Sequence, residues 1–230
     1  ADMAVMSAGL VSTPVYATSS SSQIAHVIAD SGARMCFVDD GQQLSKVLLR
    51  RADLPHLERV IVLGELEGAD DGFVQRLSDL QRDGAASIAE NPSSFDTLVD
   101  AVQPTDLATI VYTSGTTGPP KGAMISHANV MATLRSLTSL IDLRPTDRFL
   151  SFLPLSHITE RSVSHFGQIA SGGTTWFARS LGTVPQDLRA CRPTIFFAVP
   201  RVWEKLHDAV VEQATHGHTP LAPVLRRYLA

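Results

Sequence analysis

The residues best placed to do chemistry are Tyr112-Thr113-Ser114-Gly115-Thr116-Thr117-Gly118-Pro119-Pro120-Lys121-Gly122. The hydroxyls of Thr113, Ser114, Thr116 and Thr117 are hydrogen-bond donors. Gly115 and Gly118 let the backbone come close to a ligand and turn its N–H groups inward. Lys121 adds a mobile positive charge. Together these residues describe a loop that holds a polyphosphate. A flexible Gly/Thr linker with one solvated lysine is the plain alternative. It does not account for an apolar strand, a hydroxyl cluster, Pro-Pro and Lys-Gly arriving in that order. A Walker A loop is excluded: Gly122 stands where Ser or Thr must follow the lysine, and Pro119 and Pro120 have no N–H to give.

Such a loop must be launched from a rigid element. The apolar run at residues 106–112 reads as a buried strand. Residues 123–125 suit a short strand after the loop. Ser126 then caps a helix in which Val130, Met131, Leu134, Leu137 and Ile141 share one face.

The first hundred residues alternate in a similar way. Residues 10–16 are extended. The serines at 19–22 offer N-caps to a helix carrying Ile24, Val27 and Ile28, which Gly32 ends. Strands are expected at 35–38 and 59–63, around a helix at 42–51. This βαβαβ order implies a parallel sheet. Residues 65–92 are polar and acidic and read as a surface excursion near the sheet rim, with a helix at 74–82. A short helix is expected at 95–102.

A second constellation is Phe152-Leu153-Pro154-Leu155-Ser156-His157-Ile158-Thr159-Glu160-Arg161. A strand at 148–153 runs into a proline turn, and His157 opens a helix over 158–171. Helical spacing puts His157, Arg161, Ser164 and Gln168 on one face, and Ile158, Phe166, Ile169 and Ala170 on another expected to be core. The polar face would stand at the C-terminal edge of a strand, where open α/β sheets bind ligands. On the residues alone, His157 either faces a ligand or simply caps and packs. Beyond it come a strand at 174–178, a helix at 184–191, a strand at 194–199 and a helix from Pro200 through residue 210. Phe196, Phe197 and Trp203 read as packing residues. His216 and His218 lack further ligands for a metal, and His26, His56 and His207 stand in no constellation.

The string at residues 112–122 resembles the signature loop of the adenylate-forming (AMP-binding) superfamily. The segments His157-Ile158-Thr159-Glu160-Arg161 and Val199-Pro200-Arg201-Val202-Trp203-Glu204 are similar to those of its long-chain fatty acid–CoA ligases. The similarity extends over about residues 1–209. It implies an α/β fold of two layered βαβ sheets, an incomplete portion of the large N-terminal domain. Subdomain portions are expected at 1–104 and 105–230, the second carrying the phosphate loop.

The implied reaction joins a long-chain fatty acid to ATP, giving acyl-AMP and pyrophosphate, and then to coenzyme A. The implied binding set for ATP is Thr113, Ser114, Gly115, Thr116, Thr117, Gly118 and Lys121, with Thr113 near Mg2+. Lys121 would neutralise the leaving pyrophosphate as a point charge. His157, Arg161, Val199 and Pro200 would border the acyl substrate, His157 also lying on the thiol's approach. The family's magnesium carboxylate, ribose-binding aspartate, hinge and C-terminal lysine have no counterpart here, so the segment alone is expected to have little ligase activity. An acyl-AMP ligase serving a carrier protein and a nucleotide- or acyl-binding module are the competing readings.

Composition is that of an ordinary globular protein: 44% hydrophobic, 18% charged, formal net charge −4. No basic stripe points to nucleic acid. No apolar run approaches the roughly 20 residues of a membrane span. The expected setting is cytoplasmic, with any membrane contact peripheral to the inner face. Cys36 and Cys191 are expected to be buried free thiols.

Overall fold

The computed structural model describes residues 1–65, 72–113 and 118–216, with side chains described to residue 212. The chain forms two compact units. One comprises Ala1–Leu143 with Leu153–Ala170, the other Arg144–Phe152 with the chain from Ser171 onward.

The first unit opens with helix α1 (Asp2–Ser7) and an extended segment in which Ser12 makes a parallel bridge to Thr109. Helix α2 (Ser21–Ser31) is fixed at both ends. Ser20 and Gln23 form a reciprocal capping box, and Gly32 takes the left-handed conformation (φ 65°) that closes a helix without a Cβ penalty. Ile24, Ala25, Val27 and Ile28 form its buried stripe.

Strand β1 (Met35–Val38), helix α3 (Gly41–Leu48) and strand β2 (Arg59–Val62) make the expected crossover, with the strands parallel and in register Met35 to Arg59. Asp40 caps α3 by accepting the Gln43 N–H. Val60, Ile61 and Val62 are sealed in the core, a continuous apolar run as a strand covered on both faces requires. Cys36 and Cys191 are free thiols.

The next segment departs from expectation. Residues 74–76 are not helical. They form strand β3 (Val74–Arg76), which pairs parallel with β2 at the sheet edge and buries Val74 and Gln75. Helix α4 (Leu77–Glu90) starts after it, and α5 (Ser94–Ala101) follows.

Strands β4 (Leu107–Thr113) and β5 (Lys121–Ser126) form an antiparallel hairpin. The Ser126–Asn129 capping box starts helix α6 (His127–Leu140). No residue of α6 is fully buried. Val130 and Leu134 are half-covered beside Met6, Ala108 and Phe166, while Met131 and Ile141 are exposed.

Helix α7 (Ile158–Glu160) runs into a π-helical segment at Arg161–Gly167 and then α8 (Gln168–Ser171). The expected faces hold only in part: Phe166 is buried and His157 exposed as expected, but two residues of the polar face turn inward and one of the core face turns out. Arg161 and Ser164 are buried, whereas Ile169 is 48% exposed. A π turn holds more residues than an α turn, so α-helical spacing loses phase across it.

In the second unit, β6 (Arg148–Ser151) and β7 (Thr174–Phe177) pair parallel. Helix α9 (Val184–Cys191), with Pro185 in its first turn, packs Val184 and Cys191 against Leu150. Residues 194–199 form no strand; Ile195 makes one isolated bridge to Phe149. Thr194 explains this. Its hydroxyl donates to Asp147 Oδ1 (2.7 Å) and accepts the Arg148 N–H (2.9 Å), replacing a ladder bond with a side-chain bond. Helix α10 (Pro200–His216) follows. No helix among the described residues is long and apolar enough to cross a membrane.

Candidate active site

The hairpin β4–β5 sets the geometry. Thr113 pairs directly with Lys121, and Tyr112 with Gly122. Directly opposed residues of an antiparallel pair point to the same face, with Cβ atoms about 5 Å apart. One hydroxyl and one ammonium are therefore presented side by side at the mouth of the hairpin, and both residues are exposed. Ser114, Gly115, Thr116 and Thr117 lie outside the described residues.

Gly118, within the same connection, has φ 101°, a conformation that L side chains rarely adopt. Gly122 is required for a different reason. A Cβ there would meet Ile110 Cγ2 at 2.6 Å and Tyr112 Cζ at 3.1 Å, so only glycine lets the Tyr112 ring lie across the strand pair.

Helix α2 holds this stem from the side. His26 Nε2 lies 2.8 Å from the Pro120 carbonyl oxygen, and the Tyr112 hydroxyl donates to Asp30 Oδ2 at 2.6 Å. Burial, then that hydrogen bond and the Asp30 charge, push the Tyr112 phenol well above its ordinary value. The His26 and Tyr112 rings meet edge to face, with centroids 6.1 Å apart. Sequence reading missed His26 and Asp30. Their one-turn spacing on α2 is visible in the sequence, but their partners are 94 and 82 residues away.

His157 is exposed at the N-cap of α7. Its Nδ1 accepts the Thr159 N–H (3.3 Å), so in the neutral ring the proton sits on Nε2. Nε2 is then the nitrogen left for a ligand.

Arg161 lies in the interior, 2% exposed. Its Nη1 donates to Thr109 Oγ1 (2.7 Å), and its Nη2 reaches Asp2 Oδ1 and Oδ2 and Ser12 Oγ (3.0 Å). Thr109 Oγ1 in turn donates to the Ser12 carbonyl (2.7 Å). Arg161 thus ties α1 and the Ser12 segment to the middle of β4, the strand that launches the loop. Asp2 is a third residue that sequence reading missed, and no local pattern announces it. Next to Arg161, Glu160 is buried, with Oε1 lacking a hydrogen-bond partner among the described residues.

In the second unit, Val199 is half-buried and its carbonyl accepts the Val202 N–H as α10 begins, while Pro200 is exposed. Phe196 stacks on Phe152 and meets Trp203 edge-on, in keeping with a packing role. An apolar cleft of about 480 Å³ lies in the first unit among Met3, Met6, Val102, Val130, Leu134 and Phe166. None of the site residues expected from the sequence lines it.

Residues 1–229 match the family described as AMP-binding enzyme. The chain belongs to that family. Among relatives of this AMP-binding chain, the long-chain-fatty-acid–CoA ligase ACSBG1 of Rattus norvegicus is 35% identical over 217 residues, covering 91% of the chain and 30% of that protein. The long-chain-fatty-acid–CoA ligase FadD15 of Mycobacterium tuberculosis is 30% identical over 218 residues, covering 94% and 35%. The crystal structure of a long-chain-fatty-acid-CoA ligase from Archaeoglobus fulgidus shares the fold, with a TM-score of 0.65 at 20% identity over 88% of this chain and 37% of that one. The chain spans about a third of the length of these relatives.

Proposed function

We propose that this AMP-binding chain is the phosphate-gripping portion of an ATP-dependent long-chain fatty acid–CoA ligase. The observation that carries the reading is the Thr113–Lys121 pair, opposed at the mouth of a hairpin whose connection holds the hydroxyl- and glycine-rich motif. The names of its relatives support the acyl substrate and the acceptor.

In this reading a fatty acid carboxylate oxygen attacks the α-phosphorus of ATP. A bond forms between that oxygen and phosphorus, and the bond to the bridging oxygen of pyrophosphate breaks. Negative charge builds on the departing diphosphate. Donors fixed in advance stabilise such charge without reorganising at the moment of reaction. Lys121 and the hydroxyls of Thr113, Ser114, Thr116 and Thr117 are those donors, and Gly115 and Gly118 leave room for the phosphates. The coenzyme A thiol then gives its proton to solvent, its sulfur bonds to the acyl carbon, and AMP leaves. His157, with Nε2–H outward, donates a hydrogen bond to the acyl group, and Val199 and Pro200 border its chain. Arg161 acts by holding β4 in place.

Mg2+ fits as an ion carried in on the triphosphate, where it would neutralise phosphate charge. Thr113 brings one neutral oxygen, and among the described residues no group of three or more His, Cys, Asp or Glu could hold an ion. Magnesium keeps several waters and needs few protein ligands.

The test is Lys121→Ala in the full-length protein, followed by acyl-AMP formation and release of pyrophosphate. The expected loss is about 100-fold or more, the scale of one transition-state donor. An unchanged rate removes the phosphate role. Supplying CoA and following thioester product separates a CoA ligase from one that loads a carrier protein.

A further inference from the structure

We propose that His26 and Asp30 are positioning residues for the ATP-gripping loop, holding both stems of its hairpin from helix α2. The inference rests on the function proposed above. It adds a pair of residues that touch neither ATP nor the acyl group.

Two contacts carry it. A carbonyl oxygen can only accept, so at 2.8 Å His26 Nε2 must carry the hydrogen it donates to Pro120 O. Peptide groups are planar, so fixing the Pro120 carbonyl fixes the plane that carries the Lys121 N–H and Cα. Pro119 and Pro120 have restricted φ, which leaves little slack on that side. On the other stem, Asp30 Oδ2 accepts the Tyr112 hydroxyl at 2.6 Å, one residue before Thr113. The gripping pair Thr113–Lys121 is therefore flanked by two anchored residues, Tyr112 and Pro120.

Both anchors leave the same helix one turn apart, and residues i and i+4 share a face. That helix is itself held by its capping box, its left-handed Gly32 and its buried apolar stripe. A functional group is positioned best from an element whose own position is over-determined.

The experiment compares His26→Leu, which removes the donor, with His26→Gln, whose amide nitrogen can reach the same carbonyl, and with Tyr112→Phe. The first readout is amide hydrogen exchange at Thr113 and Lys121 in the 230-residue chain, which needs no ligand. His26→Leu and Tyr112→Phe should speed exchange there about tenfold, the scale of one hydrogen bond, with α3 and β1 unchanged. His26→Gln should stay within about twofold of the parent. The second readout is KM for ATP against KM for fatty acid in the full-length protein. His26→Leu should raise only the former, and His26→Gln should restore it.

Equal behaviour of the Leu and Gln variants overturns the proposal, as does faster exchange across the whole chain. Should exchange follow the expected pattern in a protein that binds no ATP, the anchoring stands and the ligase reading falls. Should Lys121→Ala abolish acyl-AMP formation while His26→Leu changes neither readout, the ligase reading stands and the anchoring falls.

Discussion

Arg161 and Asp2 meet through a single guanidinium nitrogen: Nη2 stands 2.7 Å from Oδ1 and 2.9 Å from Oδ2 of the carboxylate. The two sides of the pair are unequally covered. Arg161 is sealed, while the Asp2 side chain keeps 33% of its exposure. Removing Asp2 would strand a buried cation. Asp2→Ala is expected to destabilise the chain by ~3 kcal/mol, the low end for a broken buried pair because one partner still reaches water. Replacing both members, as Asp2→Leu with Arg161→Met, should cost less than Asp2→Ala alone, since no unpaired charge then remains. Urea denaturation of the three variants measures this. A double variant less stable than Asp2→Ala would mean that the pair contributes more than it costs to bury.

The same pair makes stability depend on acidity. Burial opposes ionisation of Asp2, but the neighbouring His165 (3.4 Å) and Ser12, together with the Arg161 charge and its hydrogen bonds, outweigh it and hold the carboxyl well below the ordinary aspartate value of 3.8. The folded chain thus refuses a proton that the unfolded chain accepts. The contribution is whole above pH 3.8 and drains away as pH falls below it. Denaturation midpoints taken between pH 6 and pH 3 should fall more steeply for the parent than for Asp2→Asn, which has no proton to take up. Parallel curves would contradict the assignment.

Cys36 offers a test by chemistry rather than stability. Burial pushes its thiol from 9.0 up to about 11. The thiolate is the nucleophile, so at pH 8 alkylation of Cys36 in the folded chain should run about 100-fold slower than in the denatured chain. The rate should keep climbing past pH 10 instead of levelling near 9. Peptide mapping after iodoacetamide treatment separates Cys36 from Cys191. Rapid labelling of Cys36 at neutral pH would show that its surroundings are open to water.

What could be read from the sequence was what local residue types enforce. The serines at 19–22, Ser126 and Gly32 mark helix ends through local bonds or a single backbone conformation, and the structure uses Ser20, Ser126 and Gly32 in those places, adding Gln23 and Asn129 as the reciprocal halves of two capping boxes. The apolar runs of β1 and β2 were equally plain. The misses came where distant partners decide. Val74–Arg76 is too short and mixed to announce a strand, and it becomes one only because β2 offers an edge. Thr194 looks like a strand residue until Asp147 and Arg148 claim its hydroxyl. Arg161 reads as a polar-face cation because nothing near it in sequence shows that Asp2, 159 residues away, neutralises it. The loop motif itself was legible from its residue types. Its support from His26, Asp30 and Thr109 was not, because each of those bonds spans the chain.

Gly122 tests how tightly that support is built. A methyl at this position lands 2.6 Å from Ile110 Cγ2, and a β-branched side chain in a strand has little rotamer freedom with which to yield. Gly122→Ala should therefore cost ~1–3 kcal/mol, the range for overpacking. It should also push the Tyr112 ring away from Asp30, since Tyr112 Cζ stands next at 3.1 Å. The phenol, now held above its ordinary value by burial and by Asp30, should then ionise at lower pH, which ultraviolet titration reads directly. Ile110→Ala removes the obstructing methyl, so combined with Gly122→Ala its penalty should be less than additive. Simple additivity, with an unmoved phenol titration, would show that the hairpin stem has more room than these contacts allow.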